Sequence, residues 1–126
     1  MPRAGGVADR DAPTCLLSDR IGEVRERLAG SRWDGCVVRD PAGIVHGRIN
    51  ATALTDDLDP DATIESVMQA GPATVRPSED LAGLVDRMRA HDVDTMIVTT
   101  SDGRFVGMLR RIDDEHALST GNDGAG

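Results

Sequence analysis

Asp94-Thr95-Met96-Ile97-Val98-Thr99-Thr100-Ser101-Asp102-Gly103-Arg104-Phe105-Val106-Gly107-Met108-Leu109 repeats the pattern of Asp34-Gly35-Cys36-Val37-Val38-Arg39-Asp40-Pro41-Ala42-Gly43-Ile44-Val45-His46-Gly47-Arg48-Ile49, 60 residues earlier in the chain. Each stretch holds a short aliphatic run, a polar connection that ends in glycine, and a second apolar run. Asp40-Pro41-Ala42-Gly43 and Thr100-Ser101-Asp102-Gly103 carry turn chemistry, so each stretch predicts a β-hairpin.

Working outward at the same offset, residues 14–54 lie over 74–114 without a gap. The identities are Thr14/Thr74, Ser18/Ser78, Arg27/Arg87, Asp34/Asp94, Val38/Val98, Gly43/Gly103 and Gly47/Gly107. Apolar positions coincide as well: Cys15/Val75, Ile21/Leu81, Val24/Leu84, Leu28/Met88, Trp33/Val93, Cys36/Met96, Val37/Ile97, Val45/Phe105 and Ile49/Leu109. A repeat of buried positions is a repeat of fold. It also gives the two cysteines a packing role, because the other copy uses Val or Met in their places. Trp33 reads as packing by the same logic.

Before each hairpin lies a helical pattern. Ser78, Glu79 and Asp80 look like an N-cap with an acidic first turn, and Leu81, Leu84, Val85 and Met88 follow at i, i+3, i+4 and i+7. Ser18, Asp19, Ile21, Val24 and Leu28 repeat it in a weaker form, since Gly22 and Arg25 interrupt the apolar stripe. Cys15-Leu16 and Thr74-Val75 read as short strands ahead of the helices, and 110–118 suits a closing helix. The fold class is therefore mixed α/β, two β-α-β-β-α repeats. A unit this small does not bury both faces of its sheet, which predicts two copies packed together into one module. Residues 12–58 form the first repeat. Residues 59–118 form the second, with Thr63 to Met68 as a helical lead-in. Residues 1–11 and 119–126 are Gly-rich or polar and read as disordered tails.

The chain has 126 residues, a net charge of −8, no lysine, and 2% aromatic residues. Its core is thus aliphatic, and its charge opposes binding to nucleic acid, even through Arg104, Arg110 and Arg111. No apolar run is long enough to span a membrane and the start lacks a signal-peptide core, so a cytoplasmic protein is expected. No triad, phosphate loop or metal-binding motif occurs, which points away from an enzyme and from a metal site. His46 falls opposite Val106 and reads as a strand-edge side chain.

Ser66-Val67-Met68, a short strand, a capped amphipathic helix, an aliphatic strand, an acidic glycine turn and a final Val-Gly-Met-Leu strand together resemble the CBS domain, which occurs in tandem pairs. The resemblance covers 14–58 and 63–118. It implies two repeats packed with pseudo-twofold symmetry into a regulatory module, commonly a homodimer, that binds adenine nucleotides or S-adenosylmethionine and modulates a partner protein. The family's signature after the last strand is Gly, an apolar pair, Thr or Ser, two residues, then Asp. Here it is Gly107-Met108-Leu109-Arg110-Arg111-Ile112-Asp113, which implies Asp113 for the ribose, while Arg110, in place of a hydroxyl, is open to two roles, meeting phosphate or blocking the pocket. Thr74 and Val75, with Thr95 and Met96, match the positions that hold the base. In the first copy the acidic position is Ala53, so that site is expected to be empty or weak. Alternatively, both sites have decayed and the pair is a dimerising adaptor. Asp113 also has a plain structural role open to it, since acids at a helix start complement its dipole.

Overall fold

The computed structural model describes residues 2–125, and side chains through residue 119. In chain order the elements are α1 (Ala4–Val7), β1 (Thr14–Leu16), α2 (Ile21–Ala29), β2 (Gly35–Arg39), β3 (Val45–Asn50), 3-10 turns at Ala51–Ala53 and Ile64–Ser66, β4 (Gln69–Ala70), β5 (Thr74–Val75), α3 (Leu81–Ala90), β6 (Thr95–Thr99), β7 (Phe105–Arg110) and α4 (Arg111–Ala125). The chain divides into two compact units, one of Ala12–Pro72 and one of Met1–Asp11 with Ala73–Gly126. It is a mixed α and β fold with two sheets. Among the described residues no helix is long and apolar enough to cross a membrane.

In the first unit the sheet order is β1-β2-β3-β4, with β1 parallel to β2 across the α2 crossover and the other pairs antiparallel. In the second the order is β5-β6-β7, again with a parallel pair and then a hairpin. The registers are superimposable at the 60-residue offset: Cys36 faces Ile49 as Met96 faces Leu109, and both hairpins slip at the same place, Val38/Arg39 and Val98/Thr99. Each hairpin turn closes alike. The Gly43 amide donates to the Asp40 carbonyl at 2.9 Å and the Gly103 amide to the Thr100 carbonyl at 3.0 Å. Both glycines sit at φ +90° and +91°. That left-handed backbone explains why glycine is kept at both positions.

Each helix lays its apolar stripe on one sheet face. Ile21, Val24 and Leu28 of α2 meet Cys15, Cys36, Val38 and Ile49. Leu81, Leu84 and Val85 of α3 meet Val75, Val98 and Leu109. Cys15 and Cys36 are buried in the first core; the interaction of the two thiols, with burial, pushes the Cys36 thiol up, while the same interaction lowers Cys15. Trp33 is buried too.

The helix starts differ from the expectation. Ser78 and Ser18 lie outside the caps: the cap of α3 is Asp80, whose carboxylate accepts the Gly83 amide at 3.2 Å, and the cap position of α2 is Arg20, which makes no side-chain cap bond. The acids ahead of them close the preceding turn instead, Asp19 accepting the Leu16 amide at 2.9 Å and Glu79 the Arg76 amide at 2.7 Å.

The ends of the chain also depart from the disordered tails that composition suggested. The closing helix runs on through Ala125, and Gly126 is outside the described residues. At the other end, Ala4 is fully buried in the second core. The backbone shows why. Leu81 donates to the Pro2 carbonyl at 3.0 Å and Ala4 to Glu79 at 2.9 Å, just as Ile21 donates to Ala62 at 2.9 Å and Ile64 to Asp19 at 2.8 Å. Arg3 bridges Asp80 as Thr63 bridges Arg20, and Asp9 pairs with Met108 as Gln69 pairs with Arg48. The 60-residue repeat therefore extends to residues 2–11 over 62–71. Each unit is covered by the segment that precedes the other copy.

Candidate functional site

β7 ends at Arg110 and α4 begins at once, so a strand terminus and a helix N-terminus meet within one residue. The junction is held by the Arg111 amide, which donates to the Asp94 carbonyl at 2.8 Å; the Ala51 amide makes the same bond to Asp34 in the first unit. Arg111 is a tie for this corner. Its guanidinium lies 3.2 Å from Asp94, 3.8 Å from Glu115 and 4.0 Å from Asp92.

Arg110 and Asp113 are brought together. The Arg110 Nε stands 3.7 Å from Asp113 Oδ2, and the aspartate side chain is half exposed, at 51%. Asp113 lies in the first turn of α4, where the helix dipole favours a carboxylate. Thr95 is the cross-strand partner of Arg110, so the start of β6 borders the same corner. The first unit has Gly35 opposite Asn50 at this place and Ala53 where Asp113 stands. It has neither charge.

The remaining predicted residues divide by what they present. Val75 is a core residue at 3% exposure, and Thr95 is buried at 6%. Met96 is partly buried against the second core. What Val75 has to offer a ligand is backbone, and β5 is an edge strand of its sheet. The Thr74 hydroxyl accepts from the Arg76 guanidinium, which also donates to the Thr100 carbonyl. The first unit reproduces this clamp from another sequence position: Arg39 donates to the Thr14 hydroxyl at 3.3 Å and to the Asp40 carbonyl at 3.1 Å. Sequence reading missed the clamp because Arg39 and Arg76 do not align. His46 meets Asp40 at 2.9 Å, a bond that holds the Asp40 carboxyl below its usual range.

One acid at the site went unread. Asp114, next to Asp113, is buried at 1%, and its Oδ2 has no hydrogen-bond partner among the described residues. Burial, with repulsion from Asp113 and Glu115, pushes its carboxyl up to about 7. The signal was present in the repeat, where Asp114 falls opposite Leu54.

Residues 64–113 match the CBS domain family. No curated protein matches the chain. Among solved structures, the cytosolic domain of the Mg2+ channel MgtE in complex with ATP superposes with a TM-score of 0.80 at 21% identity over 93% of this chain, which spans 48% of that one. CBSX2 in complex with AMP gives 0.83 at 16% identity, covering 95% of this chain and 98% of that one. The CBS domain pair of protein MJ0100, in complex with 5'-methylthioadenosine and S-adenosyl-L-methionine, gives 0.76 at 18% identity over 95% and 98%.

Proposed function

We propose that this chain, with a CBS domain at 64–113 and the fold of a CBS domain pair, is a regulatory ligand-sensing module whose second copy binds an adenosine-containing nucleotide, AMP, ADP, ATP or S-adenosylmethionine. The observation that carries the reading is the half-exposed Asp113 carboxylate in the first turn of α4, beside Arg110, in a copy-specific corner that the first unit lacks. A carboxylate accepts from both ribose hydroxyls, and a guanidinium engages phosphate oxygens in a bidentate fork. Thr74 and Val75 of the edge strand, with Thr95 and Met96, border the base. Three of the structurally similar proteins were solved with ATP, AMP or S-adenosylmethionine bound. Binding separates Arg110 from Asp113, and occupancy is read by a partner protein or by a homodimer.

Thermal shift with each nucleotide is the test. A ligand at about 100 times its Kd adds roughly 2.7 kcal/mol of stability. Asp113→Ala removes charge-assisted hydrogen bonds, each of about 1.5–3 kcal/mol, and so weakens binding by at least about tenfold. No shift at millimolar nucleotide, or an equal shift in Asp113→Ala, overturns the reading.

A second reading is favoured by the ion pair between Arg110 and Asp113 themselves. In it the site has decayed and the pair is a dimerising adaptor. Sedimentation then shows a dimer whose mass is indifferent to nucleotide.

A further inference from the structure

α4 rests on the second unit through one stripe. Asp114, Ala117 and Leu118 lie at i, i+3 and i+4, and the last two pack against the cluster of Val75, Leu81, Leu84, Val85, Val98 and Leu109. The stripe therefore begins with a carboxylic acid, which is 1% exposed and has an oxygen that meets no donor among the described residues. The first unit fills the equivalent place with Leu54, a member of its apolar core. An ionised carboxylate without partners is strongly disfavoured in such a seat, whereas the neutral acid is tolerated.

The cations around the corner are committed elsewhere. On α4 itself, Asp113 and Glu115 flank Asp114 and add negative charge. From α3, Arg89 reaches Glu115 at 3.0 Å and Asp86 at 3.8 Å, and Arg87 reaches Glu79 at 3.6 Å. From the end of β7, Arg110 reaches Asp113, and Arg111, the first residue of α4, reaches Asp94 and Glu115.

We infer that Asp114 is a proton-operated latch: protonated, it lets α4 dock as Leu54 docks the corresponding turn of the first unit, and ionised, it loosens the first turn of α4 and with it Asp113. The inference goes beyond nucleotide binding and does not depend on it. The sign follows from linkage. A carboxyl raised from 3.8 to about 7 on folding gives stability that is complete below the unfolded value and is lost as pH rises toward the folded one. Between about pH 4 and pH 7 its contribution to the folding constant falls by up to tenfold per pH unit, and it is flat above.

The experiment is urea denaturation of the whole chain without ligand, at intervals from pH 5 to pH 8.5, for the natural sequence, Asp114→Leu and Asp114→Asn. The natural chain is expected to lose folding constant between pH 5 and 7 relative to both variants, and Asp114→Leu is expected to be the most stable at pH 8. In parallel, carbon-13 NMR of the Asp114 carboxyl reads its titration, with a midpoint near 7 expected. Parallel pH profiles for all three chains, or a carboxyl midpoint below 5, overturn the latch. If Asp114→Leu does not fold, Asp114→Asn and the carboxyl titration decide it. Loss of nucleotide binding leaves these readouts untouched, so the two readings fail separately.

Discussion

Gly47 and Gly107 are kept in both copies for a reason that lies outside the strands they belong to. A methyl group on Gly107 would come within 2.9 Å of the Ala8 side chain and 3.0 Å of the Asp9 carbonyl; on Gly47 it would strike the Met68 sulfur and come within 2.9 Å of the Gln69 carbonyl. Backbone has little room to yield, so Gly107→Ala and Gly47→Ala are each expected to cost about 1–3 kcal/mol. A fall in urea midpoint with unchanged slope would register it. Gly6, with nothing within 4 Å of such a methyl, is the control and should tolerate alanine. The identity of these glycines was legible in the sequence. Their cause was not, because the chain that crosses them is the lead-in of the other copy.

At the scale of elements, the two helices look alike in pattern and differ in how their starts are secured. Asp80 caps α3 with its own side chain; at α2 the Ile21 and Gly22 amides are taken by the Ala62 and Pro60 carbonyls at 2.9 and 3.0 Å. Gly22 therefore reads as a weak point in the sequence and is a contact point in the fold. A methyl there meets Pro60 Cβ at 3.1 Å and its carbonyl at 3.3 Å, whereas at Gly83 the nearest atom, Asp80 Oδ2, is 3.8 Å away. Alanine at an exposed helix interior ordinarily stabilises by about 0.5–1 kcal/mol over glycine. Gly83→Ala should show that gain in thermal unfolding and Gly22→Ala should not; equal gains at both would mean that Pro60 does not confine α2. Asp80→Ala should lose about 1 kcal/mol, the usual worth of an N-cap. Strand, helix and hairpin order followed from apolar spacing. The caps did not, because a run of Ser, acid and acid offers several capping residues and backbone distant in sequence decides among them.

For the molecule as a whole, the lead-in segments are structural parts of the units they cover. Gly5-Gly6 and the polar neighbours in the segment 2–11 carry no periodicity, so composition alone points to disorder there. The segment's fold is imposed by partners: Gly5 donates to the Pro77 carbonyl at 2.9 Å as Glu65 donates to Leu17 at 3.2 Å, and Met108 and Asp9 exchange bonds at 3.0 and 2.8 Å. Family likeness over 64–113 begins within the second lead-in, consistent with its being part of the unit. Deleting residues 1–11 should then act on one unit only. Leu81 and Met108 lose their backbone acceptors, Pro2 and Asp9, and the seat of Ala4 opens to water. Hydrogen exchange at Leu81 and Met108 should accelerate by at least tenfold, because those amides become free to exchange by local opening. Ile21 and Ile64, whose bonds lie within the first unit, should keep their protection. If Leu81 and Met108 remained as protected in the shortened chain, the segment would be an ornament on the second unit; if all four amides lost protection together, its loss would be felt through the whole chain and the two units would not be separately covered.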